Sequence, residues 1–309
     1  MIEIQQLKHF LALVEYRSFN KAAERLHITQ SGLSRSIRSL EERLGLPLFE
    51  RGSRAVTPTQ YGRQLVARAH VILNEESRAR TELANLRSMQ SGSVRIGITL
   101  NFTHYLAPEM IADFARRHPA IDIHVVSGSF SELVDALRRS EVDLVFGLLA
   151  SGISTKDLAI ETLFESRSGV YTRPSHPLAV RRSVSPADLA GSTWIMLDSG
   201  AFQQVFTAWF HDAGLPAPRQ QMTTNSLAFL RHAVLELGHL TVLPDELVAP
   251  DVRERRLVRL SADTPAGRTR AGIVYRKDAL ETFTPAVTRL IEALRGSASR
   301  RLPDAADVG

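Results

Sequence analysis

Residues 18–59 read SFNKAAERLHITQSGLSRSIRSLEERLGLPLFERGSRAVTPT, and this stretch decides the fold of the N-terminal region. Within it, Leu33, Ile37, Leu40 and Leu44 are spaced by three or four residues, as on one face of an amphipathic helix. Gly45 follows the last apolar position of that pattern, and glycine is the residue most often found just past a helix end. The pattern predicts a helix with one buried stripe that stops at Gly45.

Two more helices are predicted on the N-terminal side of this one. Apolar residues at helical spacing predict a first helix over about 4–16. Ser18 is a good cap for a second, short helix over about 19–26, and only the connector at 27–29 separates that helix from the third. Two short helices joined by so tight a turn predict a helix-turn-helix, the arrangement that lays its second helix in the DNA major groove.

A small hairpin is predicted directly after the three helices. Residues 47–51, PLFER, and 54–57, RAVT, flank the turn Gly52-Ser53, which is typical of a β-hairpin with arginine on both sides of its tip. Such a wing is expected to contact the DNA backbone or the minor groove. The fold class predicted for the head is therefore an all-α winged helix-turn-helix.

The exposed face of the third helix carries the side chains suited to reading DNA. These are the polar and basic residues that hydrogen-bond base edges and phosphates, namely Gln30, Ser31, Ser34, Arg35 and Arg38. The charge distribution agrees with this interpretation. Residues 1–91 contain 14 Lys and Arg against 9 Asp and Glu, whereas residues 92–309 contain 24 of each, so the net charge of +5 lies wholly in the first third. A local basic excess is the electrostatic signature of a nucleic-acid-binding module, although a solvated helical surface can carry the same charge.

Residues 18–59 resemble the DNA-binding head of LysR-type transcriptional regulators. The resemblance rests on an ordered series of motifs: an AAxxL helix, the TQSxLSRxIxxLE recognition helix, the LGxPLFER turn and the TPT exit. The family often has proline where this chain has Ser31, and a serine there keeps the capping function. The resemblance and the exposed polar face together give these candidate DNA contacts: Lys21, Thr29, Gln30, Ser31, Ser34, Arg35, Arg38, Arg51, Ser53 and Arg54.

A long helix is predicted over residues 59–90. Thr57 and Pro58 suit its cap and first position, and apolar residues recur every seven positions at Leu65, Ile72 and Ala79. About thirty residues span about 45 Å, too long for the stripe to be buried by one small head. We expect this helix to pack on a second copy of itself, as the dimerising linker of the resembled family does; the alternative is packing on its own C-terminal domain.

The residues after 91 predict a different architecture. Short apolar strands alternate with helices, with strands near 94–98, 121–126 and 143–146. This βαβαβ order predicts a parallel sheet. A second set of strands and helices follows, and the segments HPLAVRRSVSPADLAG and ELGHLTVLP resemble the two-lobed LysR-type effector domain, which is similar to type 2 periplasmic binding proteins.

The resemblance implies a domain division that the residues alone leave open. It comprises a head at 1–58, a linker at 59–90 and an effector domain at 92–300, with lobe I at about 92–163 and 270–296, lobe II at about 167–266, and a disordered tail at 301–309. We also expect the disorder to begin at Gly296, where Ser, Arg, Asp and Ala become frequent. The family often has a second glycine at the place of Glu236, two residues before Gly238.

Loops at the carboxyl ends of the predicted strands offer a ligand site between the lobes. The candidate effector contacts are Thr99, Asn101, Phe102, Thr103, Ser129, Ser199, Phe202, Asn225 and Ser226. The resemblance places Asn101 and Ser129 where the family usually contacts its effector. Each of these residues can also be an ordinary cap, turn or packing residue.

Composition and motifs exclude several other classes of protein. The 309 residues contain no cysteine, so disulfides and thiolate chemistry are absent, and 44% hydrophobic with 23% charged residues is typical of a soluble globular protein. No signal peptide is evident, and a cytoplasmic location is predicted. No GxSxG, GxGxxG, HExxH or P-loop motif occurs, and the paired histidines 118/124 and 232/239 lack metal-site spacing. We therefore predict no enzyme activity, no metal and no cofactor apart from an unidentified small-molecule effector.

The sequence thus predicts a sequence-specific transcriptional regulator controlled by a small molecule. Its expected partners are double-stranded promoter DNA, further copies of itself and RNA polymerase; the resemblance implies a tetramer built from two dimers. The alternatives are a solute-binding protein, which would need an export signal and has no use for a basic head, and a small-molecule enzyme on the same two-lobed fold.

Overall fold

In the computed structural model, the described residues are 2–50, 56–87, 92–149, 153–197, 200–262 and 268–301. Four predicted contact residues lie outside these ranges: Arg51, Ser53, Arg54 and Ser199. The side chain of Phe202 and the predicted tail at 302–309 also lie outside the described part of the chain. No helix in the described ranges is long and apolar enough to cross a membrane.

The head contains the three predicted helices, α1 (Ile4–Tyr16), α2 (Phe19–Arg25) and α3 (Gln30–Leu44). Their ends are set locally, because the Ser18 hydroxyl accepts from the Lys21 amide at 3.4 Å and Gly45 adopts a left-handed φ of 69°. The three helices bury one shared core whose side chains include Leu7, Phe10, Leu13, Ala22, Leu33, Ile37 and Leu40.

The long helix α4 (Gln60–Arg87) begins two residues after Pro58, the predicted first helical position. Thr57 and Pro58 belong to the base of the wing, where the Glu50 amide donates to the Thr57 carbonyl at 2.9 Å. Thr59 supplies the cap instead, since its hydroxyl accepts from the Gly62 amide at 3.1 Å. The prediction of Thr57 as the cap was wrong because Thr57 is hydrogen-bonded to Glu50 at the base of the wing.

Some apolar residues of α4 are buried against the head, and others along the helix are exposed. Ala69 packs into the core of the head, with Leu65 partly buried beside it, whereas Ile72 and Leu83 are 41% and 64% exposed. Further along, the Asn74 side-chain amide donates to the Arg139 carbonyl in the effector domain of the same chain. The helix therefore contacts its own C-terminal domain and leaves part of its apolar stripe uncovered.

The C-terminal region is an α/β structure with one seven-stranded sheet and one two-stranded sheet. The strands are β1 (Ser93–Thr99), β2 (Asp122–Gly128), β3 (Leu144–Leu148), β4 (Leu158–Thr172), β5 (Trp194–Leu197), β6 (Gln220–Thr224), β7 (Thr241–Pro244), β8 (Val258–Arg259) and β9 (Arg268–Arg276). The helices are α5 (Leu106–Arg117), α6 (Phe130–Arg138), α7 (Pro186–Ala190), α8 (Gly200–Asp212), α9 (Leu227–Leu237), α10 (Asp245–Arg253) and α11 (Pro285–Arg301).

Lobe I, as used below, comprises β1–β3, β9, α5, α6 and α11, and lobe II comprises β5–β8 and α7–α10. In lobe I, β1 pairs in parallel with β2 and β3, as the βαβαβ pattern predicts, and β9 joins β3 antiparallel. Two clusters of buried residues cover this sheet, one including Phe114 of α5 and Leu290 of α11, the other including Leu133 of α6.

The strand β4 belongs to both lobes. Residues 158–167 pair antiparallel with β9, and residues 168–171 pair antiparallel with β7. In lobe II, β5 pairs in parallel with β6 and meets β7 through the bridge between Trp194 and Leu240. Trp194 is fully buried and packs edge-on against Phe206 and Phe210 of α8.

The final helix corrects one expectation. Disorder was predicted from Gly296 onwards, but α11 continues to Arg301. Ser297 and Ala298 are only 1% and 2% exposed, so their burial holds the last turns in place despite a polar composition.

Candidate nucleic-acid interface and effector site

The recognition helix α3 separates a buried face from a polar face. Leu33 and Leu40 are fully buried, and on the opposite side Gln30, Ser31, Arg35 and Arg38 are exposed. The other predicted contacts of the head are exposed too, at Lys21 and Thr29, whereas Ser34 is half-buried. The Thr29 hydroxyl accepts from the Gly32 amide at 3.1 Å and thereby fixes the start of α3.

Two of the three arginines of α3, Arg35 and Arg38, are available to neutralise phosphate, whereas Arg43 is paired with Glu3. Arg35 donates through Nε to the Ser31 carbonyl at 3.4 Å, and no carboxylate in the described ranges forms an ion pair with Arg35 or Arg38. Unpaired guanidinium groups on an exposed helix face are the donors that bind phosphate and guanine edges.

A polar network that the sequence analysis missed joins α1 to α3. The His9 Nδ1 atom lies 2.7 Å from the Ser36 Oγ, and its Nε2 atom lies 3.0 Å from the Gln5 amide nitrogen. One turn away, the Gln6 amide donates to the Ser39 hydroxyl at 3.3 Å. His9 is 8% exposed, and burial lowers its pKa below the ordinary value of 6.5. The sequence does contain one signal for this network, since Gln6 and His9 fall on the same helical face as the apolar Phe10.

The wing is anchored to α3 by a second residue that the sequence analysis missed. One carboxylate oxygen of Glu41 accepts from the Leu48 amide at 2.7 Å and from the Phe49 amide at 3.3 Å. Phe49 then bridges to Pro58 across the base of the wing. Glu41 therefore fixes the wing relative to the recognition helix.

The predicted effector residues of lobe I lie at one edge of its sheet. Thr99 ends β1 opposite Gly128 of β2, and its hydroxyl accepts from the Leu148 amide at the end of β3, at 3.2 Å. Asn101 is half-buried, and its side-chain amide has no hydrogen-bond partner among the described residues. The Thr103 hydroxyl donates to the Leu100 carbonyl at 2.8 Å. Asn101 is thus the residue of this loop with polar atoms left available.

Phe102 and Ser129 have structural roles in this conformation. Phe102 is 1% exposed and stacks on Phe146 at 5.4 Å, so its ring lies in the core of lobe I and not on the surface of a cleft. Ser129 is exposed but caps α6, and its hydroxyl donates to the Glu132 carboxylate at 2.7 Å. Burial therefore removes Phe102 from the candidate contacts, whereas Ser129 caps α6 and remains exposed.

In lobe II, Asn225 and Ser226 follow the carboxyl end of β6, where Thr224 is in register with Leu197 of β5. Both are exposed, and the Ser226 hydroxyl caps α9 by accepting from the Phe229 amide at 3.3 Å. A contact between α10 and the residue before α5 connects the two lobes. Arg253 of α10 donates to the Tyr105 hydroxyl at 2.5 Å, and its guanidinium carbon lies 5.6 Å from the centroid of that ring.

Within the described residues, no group of three or more His, Asp and Glu side chains is arranged to hold a metal ion.

A winged helix-turn-helix followed by a long helix and a two-lobed α/β domain defines a class of DNA-binding regulators. Residues 4–63 match the family described as "Bacterial regulatory helix-turn-helix protein, lysR family", and residues 87–299 match the family described as "LysR substrate binding domain". The chain therefore belongs to the LysR family of transcriptional regulators, which bind DNA and carry an effector-binding domain.

Relatives and solved structures agree over nearly the whole chain. The chain is 31% identical to the "DNA-binding transcriptional dual regulator OxyR" of Escherichia coli (strain K12), covering 89% of this chain and 90% of that protein. It is 29% identical to the "RuBisCO operon transcriptional regulator" of Allochromatium vinosum, covering 97% of each chain. The fold matches full-length CbnR complexed with its target DNA at a TM-score of 0.68 and 19% identity, covering 96% of this chain and 100% of that chain. It also matches a full-length OxyR variant from Pseudomonas aeruginosa at a TM-score of 0.62 and 24% identity, covering 97% of this chain and 95% of that chain.

Proposed function

We propose that the chain binds promoter DNA through the exposed face of α3 and the wing, and that a small molecule held between the two lobes controls this binding. The observation that carries the proposal is the pair Arg35 and Arg38, exposed on α3 without a carboxylate partner among the described residues. The proposed DNA contacts are Lys21, Thr29, Gln30, Ser31, Ser34, Arg35, Arg38, Arg51, Ser53 and Arg54.

For the effector, the proposed contacts are the polar residues that the sequence predicts at the carboxyl ends of the strands. They are Thr99, Asn101, Thr103, Ser129, Ser199, Asn225 and Ser226, and Phe202 is retained on its position in the sequence. Asn101 has the strongest support because its side-chain amide is unpaired among the described residues. The contact between Tyr105 and Arg253 supports an arrangement in which the two sheet edges face each other.

The domain division is proposed as a head at 1–58, a linker at 59–90 and an effector domain at 92–300. The change in the pairing partner of β4, from β9 to β7 after residue 167, supports a lobe boundary close to that residue. The exposed stripe containing Ile72 and Leu83 supports a partner helix on α4. We propose a dimer, with two dimers forming a tetramer.

The proposed site of action is the cytoplasm, where a DNA-binding regulator meets its promoter and RNA polymerase. We propose no enzymatic activity, since both named relatives are transcriptional regulators and the role of a ligand in such a protein is to shift an equilibrium.

The test is a DNase I footprint of the full chain on the DNA upstream of its own gene. We expect two protected half-sites, spaced by about one DNA turn or a multiple of it. Failure to protect any sequence in preference to bulk DNA would overturn the proposal, and loss of protection in Arg35→Ala would assign it to α3.

A further inference from the structure

Lobe II has a pocket at the edge opposite to the proposed effector contacts. Its volume is about 450 Å³, and its hydrogen-bonding lining is supplied by Arg173, Ser175, His176, Ser192, Thr193 and His239. Three segments meet there: the end of β4 with the turn after it, the residues before β5, and the residues between α9 and β7. No Asp or Glu side chain lines the pocket in the part of the chain that the structure describes.

Arg173 gives the pocket a permanent positive charge. It follows the last residue of β4, and its Nη1 atom donates to the Glu236 carbonyl at the end of α9, at 2.9 Å. Its Nε atom is buried and has no hydrogen-bond partner among the described residues. The side chain lies against Gly238, whose left-handed φ of 69° and missing Cβ leave the space that the guanidinium occupies. Many other arginines of the effector domain are neutralised, such as Arg181, which lies 2.5 Å from Asp188, whereas Arg173 has no ion pair with any described residue.

Two histidines flank this arginine. The Nδ1 atom of His176 accepts from the Leu178 amide at 3.2 Å, so the proton of the neutral ring is on Nε2. The Nε2 atom of His239 is hydrogen-bonded to the side-chain oxygen of Gln221. Both ring pKa values are lowered, chiefly by burial and then by positive neighbours: Arg173 and His239 for His176, and Arg219 and Arg173 for His239. Glu236, whose carbonyl accepts from Arg173, has an exposed side chain at the end of α9.

We propose that this pocket binds a small tetrahedral oxyanion of the sulfate and phosphate class, held by Arg173, the two histidines and the hydroxyls of Ser175 and Thr193. Guanidinium, imidazolium and hydroxyl groups are donors to oxyanions, and the lining has no carboxylate to repel one. The same unneutralised charge disfavours a metal cation between the two histidines.

The pocket is separate from the proposed effector contacts. Thr193 and His239 come just before β5 and β7, whereas Asn225 and Ser226 come just after β6. These three strands run parallel, so the two sets of residues lie at opposite ends of the same strands.

The experiment is equilibrium dialysis of the full chain against radiolabelled sulfate, with phosphate as competitor and constant ionic strength. We expect one saturable site per chain, which phosphate empties. Because binding takes up a proton on His239, whose second ring nitrogen is not used in the bond to Gln221, and sulfate itself does not titrate in this range, affinity should rise by about tenfold between about pH 8 and about pH 6. Arg173→Gln should weaken binding by about tenfold to a hundredfold.

Two substitutions serve as matched controls. Arg182→Gln removes the same charge from an exposed position of lobe II, and His211→Gln removes an exposed histidine far along α8. Both should leave sulfate binding unchanged, whereas His239→Gln should weaken it and flatten its pH dependence. If Arg173→Gln disturbs the fold, the sulfate affinity of His239→Gln still tests the proposal. The proposal is overturned by the absence of a saturable site up to roughly 50 mM sulfate, or by affinity that His239→Gln leaves unaltered.

Discussion

The imidazole of His9 on α1 lies 2.7 Å from the hydroxyl of Ser36 on α3, so a buried neutral histidine ties the recognition helix to the first helix. Its Nε2 atom faces the Gln5 amide nitrogen and therefore accepts, which places the ring proton on Nδ1, directed at Ser36. Ser36 is the immediate neighbour of Arg35. The orientation of the exposed arginine thus depends on a hydrogen bond made on the hidden side of the same helix.

This arrangement predicts a pH dependence of the head. Burial keeps the pKa of folded His9 below 6.5, so the unfolded chain takes up the proton first and the free energy of unfolding falls as the pH drops below about 6.5. His9→Asn keeps a donor near Ser36 without a titrating ring. Its DNA affinity, measured by fluorescence anisotropy, should vary less between about pH 7.5 and about pH 5.5 than that of the unmodified chain.

The control for this measurement is His27→Asn. His27 is exposed and has a φ of 55°, a left-handed conformation that asparagine tolerates well. It should retain the full pH dependence. Equal slopes for His9→Asn and the unmodified chain would contradict the role of His9.

Arg35→Ala should separate DNA recognition from stability. Its side chain is exposed and its one contact is with the Ser31 carbonyl of its own helix, so the unfolding temperature should barely change. Affinity for the footprinted site should fall by about 1–3 kcal/mol. Arg117→Ala, which removes an exposed arginine from α5, should bind as the unmodified chain does. If Arg35→Ala binds the specific site as tightly as Arg117→Ala does, other residues of the head recognise the DNA sequence.

Arg54→Ala addresses the wing. If Arg54 contacts the DNA backbone as the sequence predicts, its loss should weaken binding to specific and unrelated DNA alike. The slope of the logarithm of affinity against the logarithm of salt concentration should decrease by about one phosphate contact. Salt titrations on both DNAs measure this, and a change confined to the specific site would indicate base reading instead.

Asn101→Ala should uncouple the effector from DNA binding. A thermal-shift screen of metabolites against the full chain identifies a ligand that raises the unfolding temperature, because a ligand that binds only the folded state stabilises it. With that ligand, the variant should lose the temperature shift and retain its affinity for the footprinted DNA. A variant that still responds fully would remove Asn101 from the site.

Gly147→Ala should destabilise lobe I. A Cβ atom built on Gly147 overlaps the side chain of Thr99. The hydroxyl of Thr99 accepts a hydrogen bond from the Leu148 amide. Overpacking of this kind costs about 1–3 kcal/mol, and calorimetry should show an earlier unfolding transition. Gly191→Ala is the matched control, since the nearest atoms to its added Cβ are carbonyl oxygens at 3.8 Å. Equal stability of the two variants would contradict the close fit of Thr99 against β3.

The helices of the head were predictable because their signals are local. Ser18, Thr29 and Gly45 fix helix ends through contacts within a few residues, and the apolar stripe of α3 is periodic. The start of α4 was not predictable in this way. Thr57 and Thr59 are equally good caps in sequence, and only the pairing of the wing decides between them.

Elements that depend on tertiary contacts were missed. The strand β6, QQMTT, is polar and becomes a strand only beside β5, and α10 contains Pro250, which argues against a helix when the sequence stands alone. At the effector site, the sequence predicts the loop at Thr99–Thr103 but contains no signal that Phe102 is buried in the core while the side chain of Asn101 stays available. The pairing of His9 with Ser36 joins residues 27 positions apart and has no local pattern.

The continuity of β4 has a mechanical consequence. Because Leu158–Thr172 is hydrogen-bonded to β9 along its first part and to β7 along its last, the two lobes of the C-terminal domain share a strand. A change in the angle between them is then a torsion of that strand. The register shift between Thr162 and Phe164 interrupts the ladder, so it is the point where β4 twists with the least loss of hydrogen bonding. Stiffening or loosening these few residues would set how readily the whole regulator changes shape.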